Sequence, residues 1–420
     1  MIIVVVQIVS RKACYLQTRA TRLLQVSDLL LHAVRISILL LFISLILHTH
    51  THTNTERVEA CLYNASYCNV LNLNQHVSTP PSSTPFSRFS AQYISSLYMS
   101  DSALSPTFLV DLPNFFTGLS VLDTLHLQRN GIVDLNFERI NQLATSLAIL
   151  DVSDNDLTTF EDICSSSPLN LQALYVNGNN ISHYDNLDGC SRLVFIQLHD
   201  NDITSLSAYS LMSQSTGGST YLNAVEYDGN LIETVDPDAL RGNYPAFEIL
   251  SFSKNRISSL DPTTFDDLVT LTGLWLDQNQ LEEIPPNMFS NLVSLNVLDL
   301  AGQTSESLTL NAFSFNGLTD ASLTLILSGG TFISKLPTDV FNGMSAPNID
   351  LSTLGITEIE DYAFRGSSFE NVRLSRNDVL KMSPLSFANA TGSMTSNSCV
   401  DFNDWYVYVC LCLLPSYLEY

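Results

Sequence analysis

The stretch that comes closest to a ligand site is DVSDNDLTTFED, Asp151 to Asp162. Asp151, Ser153 and Asn155 fall at the first, third and fifth positions of a calcium loop, where hard oxygen donors are needed. The match stops there. The sixth position, a glycine in such loops because the chain turns sharply, is Asp156, and the twelfth, a bidentate glutamate, is Asp162. HTHTHT (His48 to Thr53) would set three histidines on one face of an extended chain, but its low complexity reads as a solvated linker. The acid pairs Asp266–Asp267 and Glu282–Glu283 read as solvated faces. His126, His183 and His199 have no serine or cysteine that spacing places beside them. The phrases G-x-x-x-x-G-K-[ST], H-E-x-x-H and G-x-S-x-G are absent. The expectation is a chain with no catalytic residue, no metal and no cofactor.

Asn155 belongs to a pattern that recurs. Leu122, Leu125, Leu127, Asn130 and Ile132 form one phrase; Leu147, Leu150, Val152, Asn155 and Leu157 form the next. The phrase returns at 171–181, 193–203, 222–232, 247–257, 271–281 and 369–379, with weaker copies near Ile94, Leu295, Ser322 and Ala346. The mean spacing is about 25 residues, within the range of solenoid repeats. A second beat of Phe265, Phe289, Phe313, Phe341, Phe364 and Phe387 keeps the same time. Two apolar residues two apart point to one side of a strand. One such strand cannot bury that side alone, but stacked parallel copies can, at about 4.8 Å per step. The asparagine that follows has donors and an acceptor for the backbone of its own turn and of the next copy, so the stack should carry an amide ladder. Gln303, Gly330 and Leu354 replace that asparagine in three successive copies and mark expected weak points. Met212–Thr220 (MSQSTGGST) reads as an inserted loop.

The phrase L-x-x-L-x-L-x-x-N-x-L resembles the leucine-rich repeat. The extensions LEEIPPNMF (Leu281–Phe289) and ISKLPTDVF (Ile333–Phe341) look like the roughly 24-residue type common in extracellular receptors and matrix proteins. The resemblance implies an α/β fold class, a solenoid or horseshoe with a parallel β-sheet on its concave face and irregular or short helical turns outside. It also implies a protein–protein or glycan recognition module. The organisation read from the chain is a signal-like segment and linker over 1–57, an N-terminal cap and Pro/Ser linker over 58–93, the solenoid over 94–392, and an irregular or truncated tail over 393–420.

Charge and termini constrain the setting. The chain has 42 acids against 18 bases; six of the bases but only two of the acids fall in residues 1–57, which leaves the rest with 40 acids and 12 bases. Such a body repels phosphate backbones, so nucleic acid is not expected as a partner, whereas neutral or cationic ligands are. Ile36–Leu47 is twelve apolar or small residues behind a basic stretch, the form of a signal-peptide core; an uncleaved anchor is the alternative, and membrane contact is expected only there or through a missing C-terminal part. Cys61 and Cys68 suit a small N-terminal cap, and Cys164 and Cys190 fall in the outer segments of adjacent copies; a bridge between these two and two buried apolar thiols are both open. Asn64, Asn180 and Asn389 head glycosylation sequons. Together these features point to a secreted or cell-surface protein; an intracellular adaptor or scaffold of the same fold is the alternative.

The residue between the two inward positions of each strand should line the sheet face. That column reads His126, Asp151, Tyr175, Gln197, Glu226, Ser251, Trp275, Asp299, Ile326, Asp350 and Arg373. The expected binding residues are Tyr175, Gln197, Glu226 and Trp275, with Asp228, Asp277 and Asp299 beside them. Aromatic residues dominate binding hot spots, and Trp275 is expected to be exposed among polar neighbours.

Overall fold

The structure, a computed structural model, describes residues 94–102, 119–135, 146–159, 170–184, 187, 190–211, 221–330, 332–383 and 385–390, and the backbone alone of 70–72, 399–401 and 408–410. The chain divides into two compact units, 1–60 and 61–420, and every described residue lies in the second. The targeting segment, Cys61, Asn64, Cys68, Cys164 and the 212–220 insertion lie outside the described residues.

Three-residue strands stack into one fifteen-stranded sheet. They are Val70–Asn72, Ser96–Tyr98, Thr124–His126, Ile149–Asp151, Ala173–Tyr175, Phe195–Gln197, Ala224–Glu226, Ile249–Ser251, Gly273–Trp275, Val297–Asp299, Thr324–Ile326, Asn348–Asp350, Asn371–Arg373, Cys399–Asp401 and Tyr408–Cys410. Neighbours pair in parallel in an unbroken register, until Tyr408–Cys410 returns antiparallel on Cys399–Asp401. These last two strands form inside 393–420, where the sequence phrase is absent. From Ser96–Tyr98 to Asn371–Arg373 the middle residue of each strand points inward, and the column from Leu97 through Leu174 and Leu274 to Val372 is no more than 2% exposed. Burial of one such side chain contributes on the order of 1.5–3 kcal/mol, and only the adjacent coils supply the covering surface.

The amide ladder closes the turn after each strand. Asn155 Nδ2 donates to Val152 O (2.8 Å) in its own turn and to Leu127 O (3.0 Å) in the coil before. Its Oδ1 accepts from the amides of Asn130 (2.9 Å) and Ile132 (3.1 Å). Asn179, Asn201, Asn230, Asn255 and Asn279 repeat the pattern, all at most 6% exposed. The residue before the ladder position is left-handed in coil after coil, with φ of 53–58° at Arg129, Asp154, Asp200, Lys254, Gln278 and Arg376. That conformation swings the chain inward, and it is why the amide is needed there.

Two expectations change. Gln303 is not a weak point: its Oε1 accepts from Leu281 N (3.1 Å), and its Nε2 donates to Leu276 O (2.8 Å) and Leu300 O (3.0 Å). A glutamine carries the same amide, so of the three replaced positions the ladder lapses at Gly330 and Leu354, where Leu354 O accepts from Ile333 N (2.8 Å) instead. Phe313 is not in the aromatic stack. It is 38% exposed, and Phe315 stacks between Phe289 (6.1 Å) and Phe341 (5.2 Å). The stack runs on from Phe265 to Phe387 with ring planes within 22°. Outside it lie turns and two-residue strands such as Lys335–Leu336, Glu358–Ile359 and Lys381–Met382; no helix occurs among the described residues.

Candidate functional site

Register brings the expected column onto one face. His126, Asp151, Tyr175, Gln197, Glu226, Ser251, Trp275, Asp299, Ile326, Asp350 and Arg373 are successive partners. At about 4.8 Å per strand the row is about 50 Å long.

The face is not uniform. At its N-terminal end the side chains cover one another. The His126 ring stacks on Tyr98 at 4.5 Å, and its Nδ1 lies 3.3 Å from Asp151 Oδ2. Gln128 bonds to both Asp151 and His126. His126 is left 3% and Asp151 9% exposed, so these two do not offer the open surface the alternation suggests. Strands lie close enough for a large outward side chain to bury itself on its neighbour. At the C-terminal end Arg373 pairs with Asp350 at 2.8 Å.

Between these ends lies an acidic and aromatic stretch. Tyr175 packs edge-on against Phe195 (5.6 Å), and burial, with Asp151 and Glu226 nearby, pushes its phenol up to about 12. Glu226 accepts from Gln197 Nε2 at 3.0 Å; burial raises its carboxyl all the same, and Asp228 adds to the rise. Asp228 is also raised by burial, although the Ser251 hydroxyl and the Ser253 amide (2.9 Å) both donate to it. Asp277 accepts from the Ser253 hydroxyl. Asp299 accepts from Ala301 N at 2.9 Å, yet burial, with Asp277 beside it, lifts it from 3.8 to about 6. Among the described residues no lysine or arginine pairs with Glu226, Asp228, Asp277 or Asp299. Arg129, in contrast, meets Asp101 at 2.6 Å beside the buried end.

Trp275 is half-buried rather than exposed. Its ring lies over Gly273: a Cβ there would meet Cη2 at 2.3 Å and Cζ3 at 2.4 Å. Sequence reasoning missed Gly273, although a glycine two residues before an aromatic, on one strand face, was a readable signal. Asn180 and Asn389 are exposed, and Cys190 is fully buried and disulfide-bonded. No group of three or more histidine, cysteine or acidic residues among the described residues is arranged to hold a metal.

A parallel-strand solenoid with an amide ladder is thus the class of fold. A leucine rich repeat family matches residues 221–281 and 245–305, and the BspA type leucine rich repeat region, of six copies, matches 323–399. The chain is a leucine-rich repeat protein. None of the curated proteins compared matches it. Similar solved folds include the APL1 leucine-rich repeat domain, with TM-score 0.54 and 20% identity over 74% of each chain. The Toll–Spätzle complex of Drosophila gives 0.55 and 16%, covering 79% of this chain and 52% of that one. The LRIM1/APL1C complex gives 0.52 and 20%, covering 80% and 51%. The chain thus spans about half the length of the latter two.

Proposed function

We propose that this protein is an extracellular recognition module without enzymatic activity, and that it binds a protein partner through the sheet face between Tyr175 and Asp299. The carrying observation is the row of Glu226, Asp228 and Asp299, each desolvated by burial, which with Asp277 pairs with no lysine or arginine among the described residues, beside half-buried Tyr175 and Trp275. Unpaired carboxylates held at a stability cost on an otherwise regular scaffold are more readily explained by a ligand than by folding. The row favours a neutral or cationic partner, protein before glycan, and disfavours nucleic acid. Toll bound to Spätzle and LRIM1 bound to APL1C lend support by analogy of fold. The exposed sequon residues Asn180 and Asn389, and the disulfide-bonded state of Cys190, fit a secretory route.

The test is a pull-down with the full chain, followed by identification of what is retained. Glu226→Arg and Tyr175→Ala should lose the retained protein, while Glu282→Arg, outside the sheet face, should keep it. Equal retention by all three would remove the face from the reading. A glycosidase-sensitive mass shift is expected as well; its absence would favour the intracellular scaffold.

A further inference from the structure

We propose that the Trp275 indole, laid across Gly273, is a platform for an arginine or lysine side chain of the protein partner. The proposal rests on the sheet-face reading and names the chemistry of one subsite within it.

Gly273 and Trp275 sit two apart on the Gly273–Trp275 strand and therefore share a face. The far edge of the indole occupies the room a side chain at 273 would take, with Cη2 and Cζ3 2.3 and 2.4 Å from the Cβ position. Ile249 and Val297 are the register partners of Gly273 on either side, so the seated ring is walled by aliphatic neighbours. Trp275 still stays half-buried rather than buried. Glycine in a strand interior is a loss against alanine. Gly273 is not among the glycines with positive φ, so no backbone strain demands it. What demands it is the space for the ring.

With its far edge seated over Gly273 and the residue only half-buried, the indole keeps part of its surface open to a partner, and the faces of tryptophan attract cations best among side chains. Asp299 is the register partner of Trp275, and Asp277 follows two residues on in the same chain. Neither pairs with a lysine or arginine among the described residues. A guanidinium or ammonium over the indole would meet carboxylates at its rim, and one cation would answer both features. A neutral side chain would leave the carboxylates as they are.

The discriminating substitution is Gly273→Ala. It changes no charge and removes no part of the indole, but its Cβ forces the ring off its seat. General attraction between cations and an acidic protein would ignore it. The probe is acetyl-Gly-Arg-Gly-Arg-Gly-amide, titrated calorimetrically into the full chain, with the citrulline counterpart as the neutral control. We expect the arginine peptide to bind several-fold more tightly than the citrulline peptide. Gly273→Ala should weaken it roughly three- to thirtyfold, with an unfolding midpoint unchanged or raised. Trp275→Leu, read the same way, covers the case in which the alanine variant does not fold. Wild-type affinity in both variants, or equal binding of the two peptides, would overturn the platform. Should the platform fail while Glu226→Arg still releases the retained protein, only this subsite falls; if that variant also retains it, the sheet-face reading falls too.

Discussion

Asp299→Asn isolates the cost of the acidic row. The carboxyl of Asp299 ionises at about 6 in the folded chain against 3.8 ordinarily, chiefly because neighbouring strands desolvate it. Ionisation is therefore harder folded than unfolded. The stability linked to this group is full below about pH 4, the unfolded value, and is lost as pH rises through about 6. A gap of about two pH units corresponds to at most about 3 kcal/mol, at about 1.4 kcal/mol each. The side chain keeps partial contact with water, which reduces the expected effect to about 1–2 kcal/mol. Asparagine is nearly isosteric and keeps an oxygen to accept from Ala301 N, so the variant removes the charge and little else. Urea unfolding at pH 7.5 should show Asp299→Asn more stable than the parent by about 1–2 kcal/mol, and the gain should shrink to near zero at pH 4. A variant equal to the parent at pH 7.5, or one whose effect does not change with pH, would refute the claim that a desolvated charge is held there.

Three further outcomes follow from the geometry. Binding of a cationic ligand should weaken as pH falls through about 6, because protonating Asp299 removes a carboxylate the cation needs; calorimetry at pH 5 and 7.5 measures this, and Asp299→Asn should flatten the dependence. Gln303→Ala should cost about 3 kcal/mol by leaving Leu281 N, Leu276 O and Leu300 O short of partners. Faster hydrogen exchange at the Leu281 amide would localise that loss. Phe315→Ala should cost about 3–5 kcal/mol as a hole in the aromatic stack, while Phe313→Ala should cost under about 1 kcal/mol because the ring is partly exposed. Similar midpoints for these two variants would disprove the assignment of Phe315 to the stack.

The sequence by itself determined the coil. Leucines two apart, an amide six residues after each strand begins and a beat near 25 residues are local rules. They fix which side chains turn inward, and strand register then carries Tyr175, Glu226 and Trp275 onto one face. Even the exchange of Phe313 for Phe315 was legible, since Phe315 keeps the F-x-x-L spacing to Leu318 that Phe265 keeps to Leu268 and Phe289 to Leu292. What only the tertiary structure decided is how neighbouring coils treat each other's outward residues. His126 disappears beneath Tyr98 and Gln128, Gln303 stretches one methylene further to serve the ladder, and Trp275 turns back onto the gap left by Gly273. The stacking of His126 on Tyr98 and the reach of Gln303 to Leu281 depend on rotamers chosen across a strand spacing of about 4.8 Å, between residues more than twenty positions apart in the chain. The seat of Trp275 is local, and only its rotamer needed the structure. Periodicity states which side of a strand a residue leaves from; the packing of the next coil states where the side chain ends.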